Sequence, residues 1–201
     1  MSVILRVDMA KQSVRFEEPT VAYRDLGGRA LTSAIVAAEV PATSHPLAAE
    51  NKLVIAPGIL MGADHTAGYA VTANILGVGG RVDPLKPDGQ VELSRNLQIA
   101  TAAIDAAGLC LFVAFAVLDD ATALEAICEM LAALEGRPFD SADFLALGKR
   151  TLSEERAFNT AAGFTAAHDR LPDFFRTEKL SPHGATFDVP DEALDQVLRF
   201  S

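Results

Sequence analysis

Asp105-Ala106-Ala107-Gly108-Leu109-Cys110 brings a carboxylate, a glycine and a thiol together at the midpoint of the chain. A carboxylate accepts hydrogen bonds from the N–H groups of a heterocycle, and a thiolate ligates iron. A helix reaching Gly108 can break there without steric cost, which would aim Asp105 and Cys110 into one cleft from either side of the break. The same residues also admit a plain reading, with Cys110 a small buried hydrophobe and Asp105 a surface acid. His65, in Gly62-Ala63-Asp64-His65-Thr66, pairs with Asp64 as a candidate acid and base. The alternative is an N-cap formed by Asp64 or Thr66 with His65 exposed. Gly27-Gly28-Arg29 precedes a helical pattern, and a glycine turn there can hold an anion with Arg29 as a bidentate donor. Its spacing is neither a P-loop nor a dinucleotide fingerprint, and a plain turn with a surface arginine remains the alternative.

What the sequence lacks bounds this chemistry. The chain has two cysteines, Cys110 and Cys128. Cys128 sits in an apolar helical pattern that predicts a core position. Cys110 has no neighbouring cysteine at zinc-site spacing and cannot hold an iron–sulfur cluster alone. No Gly-x-Ser-x-Gly nucleophile elbow occurs. His45, His168 and His183 are isolated in predicted loops.

The elements that must position these residues follow from periodicity. Ser2 to Asp8 and Ser13 to Glu18 read as two strands of a hairpin with one wet face, joined by a turn at 9–12. Arg29 to Val40 reads as a helix with Leu31, Ile35 and Ala38 on one face, stopped by Pro41. Residues 51–58 read as a short buried strand, Thr66 to Leu76 as a helix, and 77–89 as a glycine- and proline-rich loop. From Gln90 onward nearly everything reads as helix. Leu93, Leu97, Ala100 and Ile104 form an apolar stripe, beside a polar stripe of Ser94, Gln98, Thr101 and Asp105 that reads as a solvated face. Leu109 to Leu118, apolar on all sides, predicts a core helix. Further helices are predicted at 121–134, at 141–162 and at 191–200. Asp140 and Asp143 form a capping box for the second of these, with Phe139 and Phe144 as a staple. The expected fold is α+β and predominantly α-helical: a small N-terminal β-sheet unit followed by a helical bundle.

At 201 residues the chain is long enough for a substantial core, and half of its residues are hydrophobic. A formal net charge of −10 disfavours nucleic acid and anionic membrane surfaces as partners. The longest apolar run falls well short of a bilayer span. Two cysteines and no signal-peptide pattern predict a soluble, cytoplasmic protein.

Several segments resemble the aldehyde:ferredoxin oxidoreductases, a family of tungsten-pterin enzymes with a [4Fe–4S] cluster. Ile4-Leu5-Arg6-Val7-Asp8, Leu26-Gly27-Gly28-Arg29-Ala30-Leu31 and Glu50-Asn51-Lys52-Leu53-Val54-Ile55-Ala56-Pro57-Gly58 resemble the start of that family. Asp105 to Cys110, Glu155-Arg156-Ala157-Phe158-Asn159, Leu171-Pro172-Asp173-Phe174-Phe175 and Phe187-Asp188-Val189-Pro190 resemble its C-terminal helical domain. The resemblance implies a partial N-terminal β/α unit at 1–60 and the helical domain at 61–201. It also implies roles. Asp105 and Leu109 lie in a pterin-gripping motif, Cys110 is a cluster ligand, Arg29 lies near the pterin phosphates and the cluster, and His65 is a candidate proton-transfer residue near the metal. The cofactors implied are tungstopterin or molybdopterin and [4Fe–4S], and the implied electron partner is ferredoxin.

Relative to the family, the sequence passes between Leu60 and Met61 straight to the C-terminal domain. It omits a Cys-x-x-Cys-x-x-x-Cys triplet, a second pterin motif and a glutamate near the metal. The implied activity is oxidation of an aldehyde to a carboxylic acid with electrons passing to ferredoxin, incomplete as an enzyme in this chain. That leaves open whether the chain is itself an enzyme. The alternative is a non-catalytic folded remnant or an assembly module, with a homo-oligomer or a full-length homologue as partner.

Overall fold

A computed structural model describes residues 3–45, 47–56, 86–114, 117, 120–179 and 181–200. The architecture is α+β and mostly helical: a two-stranded antiparallel hairpin followed by packed helices. Strands β1 (Ile4–Asp8) and β2 (Ser13–Glu17) pair with Leu5 opposite Phe16 and Val7 opposite Val14. The hairpin matches expectation in extent but not in orientation. Leu5, Val7, Val14 and Phe16 point outward, while Arg6 turns toward the helices. The cause is electrostatic: the Arg6 guanidinium makes a two-pronged bond to Glu39, with Nη1 and Nη2 at 2.6 and 2.7 Å, and Nε donates to Glu17 at 2.6 Å.

Helix α1 (Gly28–Glu39) buries Ala30 and Ile35, with Leu31 half-buried. Ala38, expected on the buried face, is exposed. The predicted buried strand at 51–58 is not formed across its described part. Residues 51–56 have no regular structure, and Leu53 and Ile55 are exposed. Among the described residues no strand lies beside this segment to pair with it. The helix predicted at 66–76 lies outside the described residues.

Helix α2 (Gln90–Ala107) is the centre of the bundle. Ala102, Ala103, Ala106 and Ala107 are fully buried on it. Ala100 and Ile104 of the predicted apolar stripe are buried, Leu93 is half-buried and Leu97 is exposed. Helix α3 (Ala121–Glu135) is capped by Asp120, whose carboxylate accepts from the Thr122 N–H, and it ends at Gly136 in the left-handed conformation.

Helix α4 (Ser141–Ala161) begins with the predicted capping box, Asp140 and Asp143 each accepting from the other end of the turn. Phe139 and Phe144 join Ile104, Ile127 and Leu131 in the main core. A second cluster holds Ile99, Ala102, Leu152 and Phe200. Short helices α5 (Phe174–Thr177) and α6 (Asp191–Val197) close the chain, with Pro190 as the N-cap of α6. The stretch predicted as a core helix at 109–118 begins differently. Leu111 and Phe112 are exposed in a turn, and Val113, Ala114 and Val117 are helical. Among the described residues, no helix is long and apolar enough to cross a membrane.

Helices α2 and α4 come together closely at Gly148. A Cβ on Gly148 would lie 2.1 Å from the Ile99 carbonyl oxygen and 3.1 Å from the Ala103 nitrogen, both backbone atoms. The small side chains of α2 and the absent side chain at Gly148 let the two backbones meet, and a methyl there has to push them apart. We expect Gly148→Ala to cost about 3 kcal/mol in urea unfolding. Gly136→Ala, a strained site with open space around it, should cost about 1 kcal/mol.

Candidate functional site

Arg29 is the second residue of α1, placed there by Gly27 as extended N-cap and Gly28 at φ +48°. Both glycines are buried, so the turn lies against the bundle and Arg29 reaches across it. Its Nε and Nη2 donate to Glu155 of α4 at 2.8 and 2.7 Å, and its Nη1 donates to Asp105 of α2 at 3.3 Å. The Ser33 hydroxyl, one turn further along α1, donates to the same Glu155 carboxylate at 2.8 Å. One guanidinium thus ties three helices together, and two carboxylates face it.

The hydrogen bonds to Glu155 raise the Arg29 pKa against the opposing effect of burial, so the guanidinium stays charged. At Glu155 burial is the largest influence and works upward. Hydrogen bonds from Arg29 and Ser33, with the Arg29 charge, outweigh it and hold the carboxyl below its ordinary range. Both groups are about one-third exposed, so solvent moderates the pairing.

Beside this cluster lies a cleft of about 400 Å³. Arg29, Gln90, Ser94, Gln98 and Thr101 supply its polar lining, and Leu93, Leu97 and Leu152 the apolar part. The polar stripe of α2 is therefore not a freely solvated face. Ser94, Gln98, Thr101 and Asp105 are all half-buried, and the first three line the cleft with Arg29. Gln98 is steadied by donating back to the Ser94 carbonyl at 3.3 Å.

The turn after α2 fixes where Cys110 goes. Gly108 adopts φ +82°, its N–H donates to the Asp105 carbonyl at 3.1 Å, and the Leu109 N–H donates to the Ile104 carbonyl at 3.1 Å. This is a Schellman-type C-cap that only glycine adopts without strain. It turns Leu109 back onto the main core, half-buried, and leaves Cys110 exposed. Asp105 and Cys110 thus flank the break as expected, but neither lines the cleft. His65 lies outside the described residues. Cys128 is buried in the main core, and burial pushes its thiol up to about 11. Among the described residues, no group of three or more His, Cys, Asp or Glu could hold a metal ion.

Glu155 and Ser33 carry no role in the sequence reading. Glu155 does stand in the Glu-Arg-Ala-Phe-Asn segment, but its pairing with a residue 126 positions away leaves no local signal.

Residues 21–200 match the family model described as aldehyde ferredoxin oxidoreductase, domains 2 and 3. The chain belongs to this family. The tungsten-containing aldehyde ferredoxin oxidoreductase of Pyrococcus horikoshii is 37% identical over 126 residues, covering 61% of this chain and 20% of that protein. The corresponding proteins of Thermococcus kodakarensis and Pyrococcus furiosus are 37% and 36% identical over the same length. The match thus spans about a fifth of the length of these curated relatives. No solved structure gives a significant match.

Two outcomes follow from the site's geometry. In native protein one thiol, Cys110, should react rapidly with Ellman's reagent, and Cys128 only on unfolding. The lowered Glu155 pKa adds stability that is present above the unfolded value of 4.5 and is lost as pH falls through the folded value. Glu155→Gln should cost about 1 kcal/mol at pH 7 and flatten the acid limb of the stability profile below pH 4.5, read by urea melts across pH.

Proposed function

We propose that this chain supplies part of the pterin cradle of an aldehyde ferredoxin oxidoreductase-type centre. The observation that carries this reading is the Arg29–Asp105–Glu155 cluster at the edge of a cleft lined by both polar and apolar side chains. Asp105 would accept N–H groups of the pterin heterocycle. Arg29, steadied by Glu155, uses three of its five N–H groups within the described residues and would offer the other two to polar atoms of the cofactor. Gln98 and Thr101 would add uncharged donors and acceptors along the cleft wall. These groups fit a polar heterocycle.

The metal in such a centre would be tungsten, as in the names of the relatives, or molybdenum. When bound, it supplies the two-electron chemistry that takes an aldehyde and water to a carboxylic acid and two protons, with electrons passing to ferredoxin. His65 is the candidate proton-transfer residue.

The donor set does not fit a complete [4Fe–4S] cluster, which takes four thiolates. Cys128 is locked in the core, and Cys110 is the one exposed thiol of two in the chain. Cys110 would therefore serve as one ligand, with the others from a polypeptide outside these residues.

A second reading is a folded, non-catalytic assembly module.

Protein produced with tungstate and purified without oxygen separates the two readings. The first expects close to one tungsten or molybdenum per chain and a fluorescent pterin after oxidative release, both lost in Asp105→Ala. A colourless, folded protein free of metal and pterin would sink it and leave the module.

A further inference from the structure

The β1–β2 hairpin presents its apolar face to solvent. Leu5 stands opposite Phe16 and Val7 opposite Val14, so the four side chains share one face. Each is more than half exposed, Phe16 at 74%. The hairpin cannot simply roll over to hide them. Its other face carries Arg6, which is anchored to Glu39 of α1, and rolling would break that two-pronged bond.

With Val3 the patch amounts to on the order of 500 Å² of apolar surface. That lies near the upper end of what a monomer exposes, and it is more than half of the roughly 800 Å² per partner buried in a standard interface. A two-stranded hairpin is also marginal in water unless something packs on it.

We propose that this face is covered by the same face of a second copy, the two hairpins stacking at the roughly 10 Å spacing of packed sheets. Charge selects this surface for self-association. The chain carries a net −10, so two copies repel across most of their surface. Among the paired residues the apolar face bears no ionisable side chain, Glu18 standing just beyond them, and Arg6, Asp8, Arg15 and Glu17 lie on the opposite side of the ladder. Two copies meeting here bring together uncharged area and keep their charged faces in water or on α1. The proposal stands on the hairpin alone and does not depend on cofactor binding.

Size-exclusion chromatography with light scattering should return twice the 21.3 kDa chain mass at about 100 μM, with dissociation on dilution. The double variant Val7→Asp, Phe16→Asp should run as a monomer with unchanged helical circular dichroism. Leu134→Asp, at an exposed apolar position on α3, should leave the dimer intact. Should the double variant fail to fold, hydrogen exchange of wild-type protein decides. Amides of β1 and β2 should gain at least tenfold protection between about 1 and 100 μM, and those of α4 should not change. A monomer at every concentration overturns the proposal. So does a dimer that survives the double variant, hairpin exchange independent of concentration, or assembly only with a longer chain of the family.

Discussion

Gly148 lacks a Cβ, and the backbone of α2 occupies the space one would take. At this contact a backbone carbonyl of α2, that of Ile99, stands where a Cβ of residue 148 on α4 would lie. Small residues on both helices bring the axes close and leave little volume to fill, so the large side chains gather at the flanks. Phe144, Ile104 and Leu131 pack on one side, and Leu152, Ile99 and Phe200 on the other. The close approach also brings Asp105 on α2 and Glu155 on α4 within reach of a single guanidinium. Wider helix spacing, as an additional methyl at 148 would impose, would stretch an Arg29–Asp105 bond already at 3.3 Å before it touched the shorter bonds to Glu155.

The site thus inherits its geometry from packing and its charge from sequence. Arg29 follows two buried glycines, the second at φ +48°, a conformation that glycine adopts without strain. Ser33 then completes the partners of Glu155 from the same helix. A carboxylate with three hydrogen bonds and about a third of its surface exposed is well satisfied. Asp105 has one bond to Arg29 among the described residues and retains acceptor capacity.

How much of this was legible in the sequence depended on range. The capping box at Asp140 and Asp143, the glycine stop at Gly136 and the break at Gly108 are written in residues a few positions apart, and the structure has all of them. The stretch at 51–56 reads as a strand by composition, but a strand exists only with a partner. Leu53 and Ile55 are exposed because none lies beside them among the described residues. The hairpin shows a related failure. Alternation gives its two faces but not which one turns inward, and one arginine fork to Glu39 decides against the apolar side. The polar stripe of α2 reads as solvated because periodicity cannot show that Arg29 and Leu152 line a cleft with it. Glu155 is invisible as a site residue for the same reason: its partners, Arg29 and Ser33, come from one helix more than a hundred residues earlier.

The charge balance of the site narrows what can bind there. A lone arginine at a helix start would favour a phosphate, since the guanidinium fork and the helix N-terminus both attract anions. Here two carboxylates already claim that arginine, and the cluster carries one negative charge in excess. A dianionic group placed against Arg29 would lie beside Asp105 as well and would be repelled by it. A neutral ring with N–H donors meets no such opposition: it can give hydrogen bonds to Asp105 and receive them from the remaining Arg29 N–H groups and from Gln98. The arrangement therefore discriminates by hydrogen-bond polarity rather than by net charge, and under the proposed reading the heterocyclic end of a pterin would meet it better than the phosphate end.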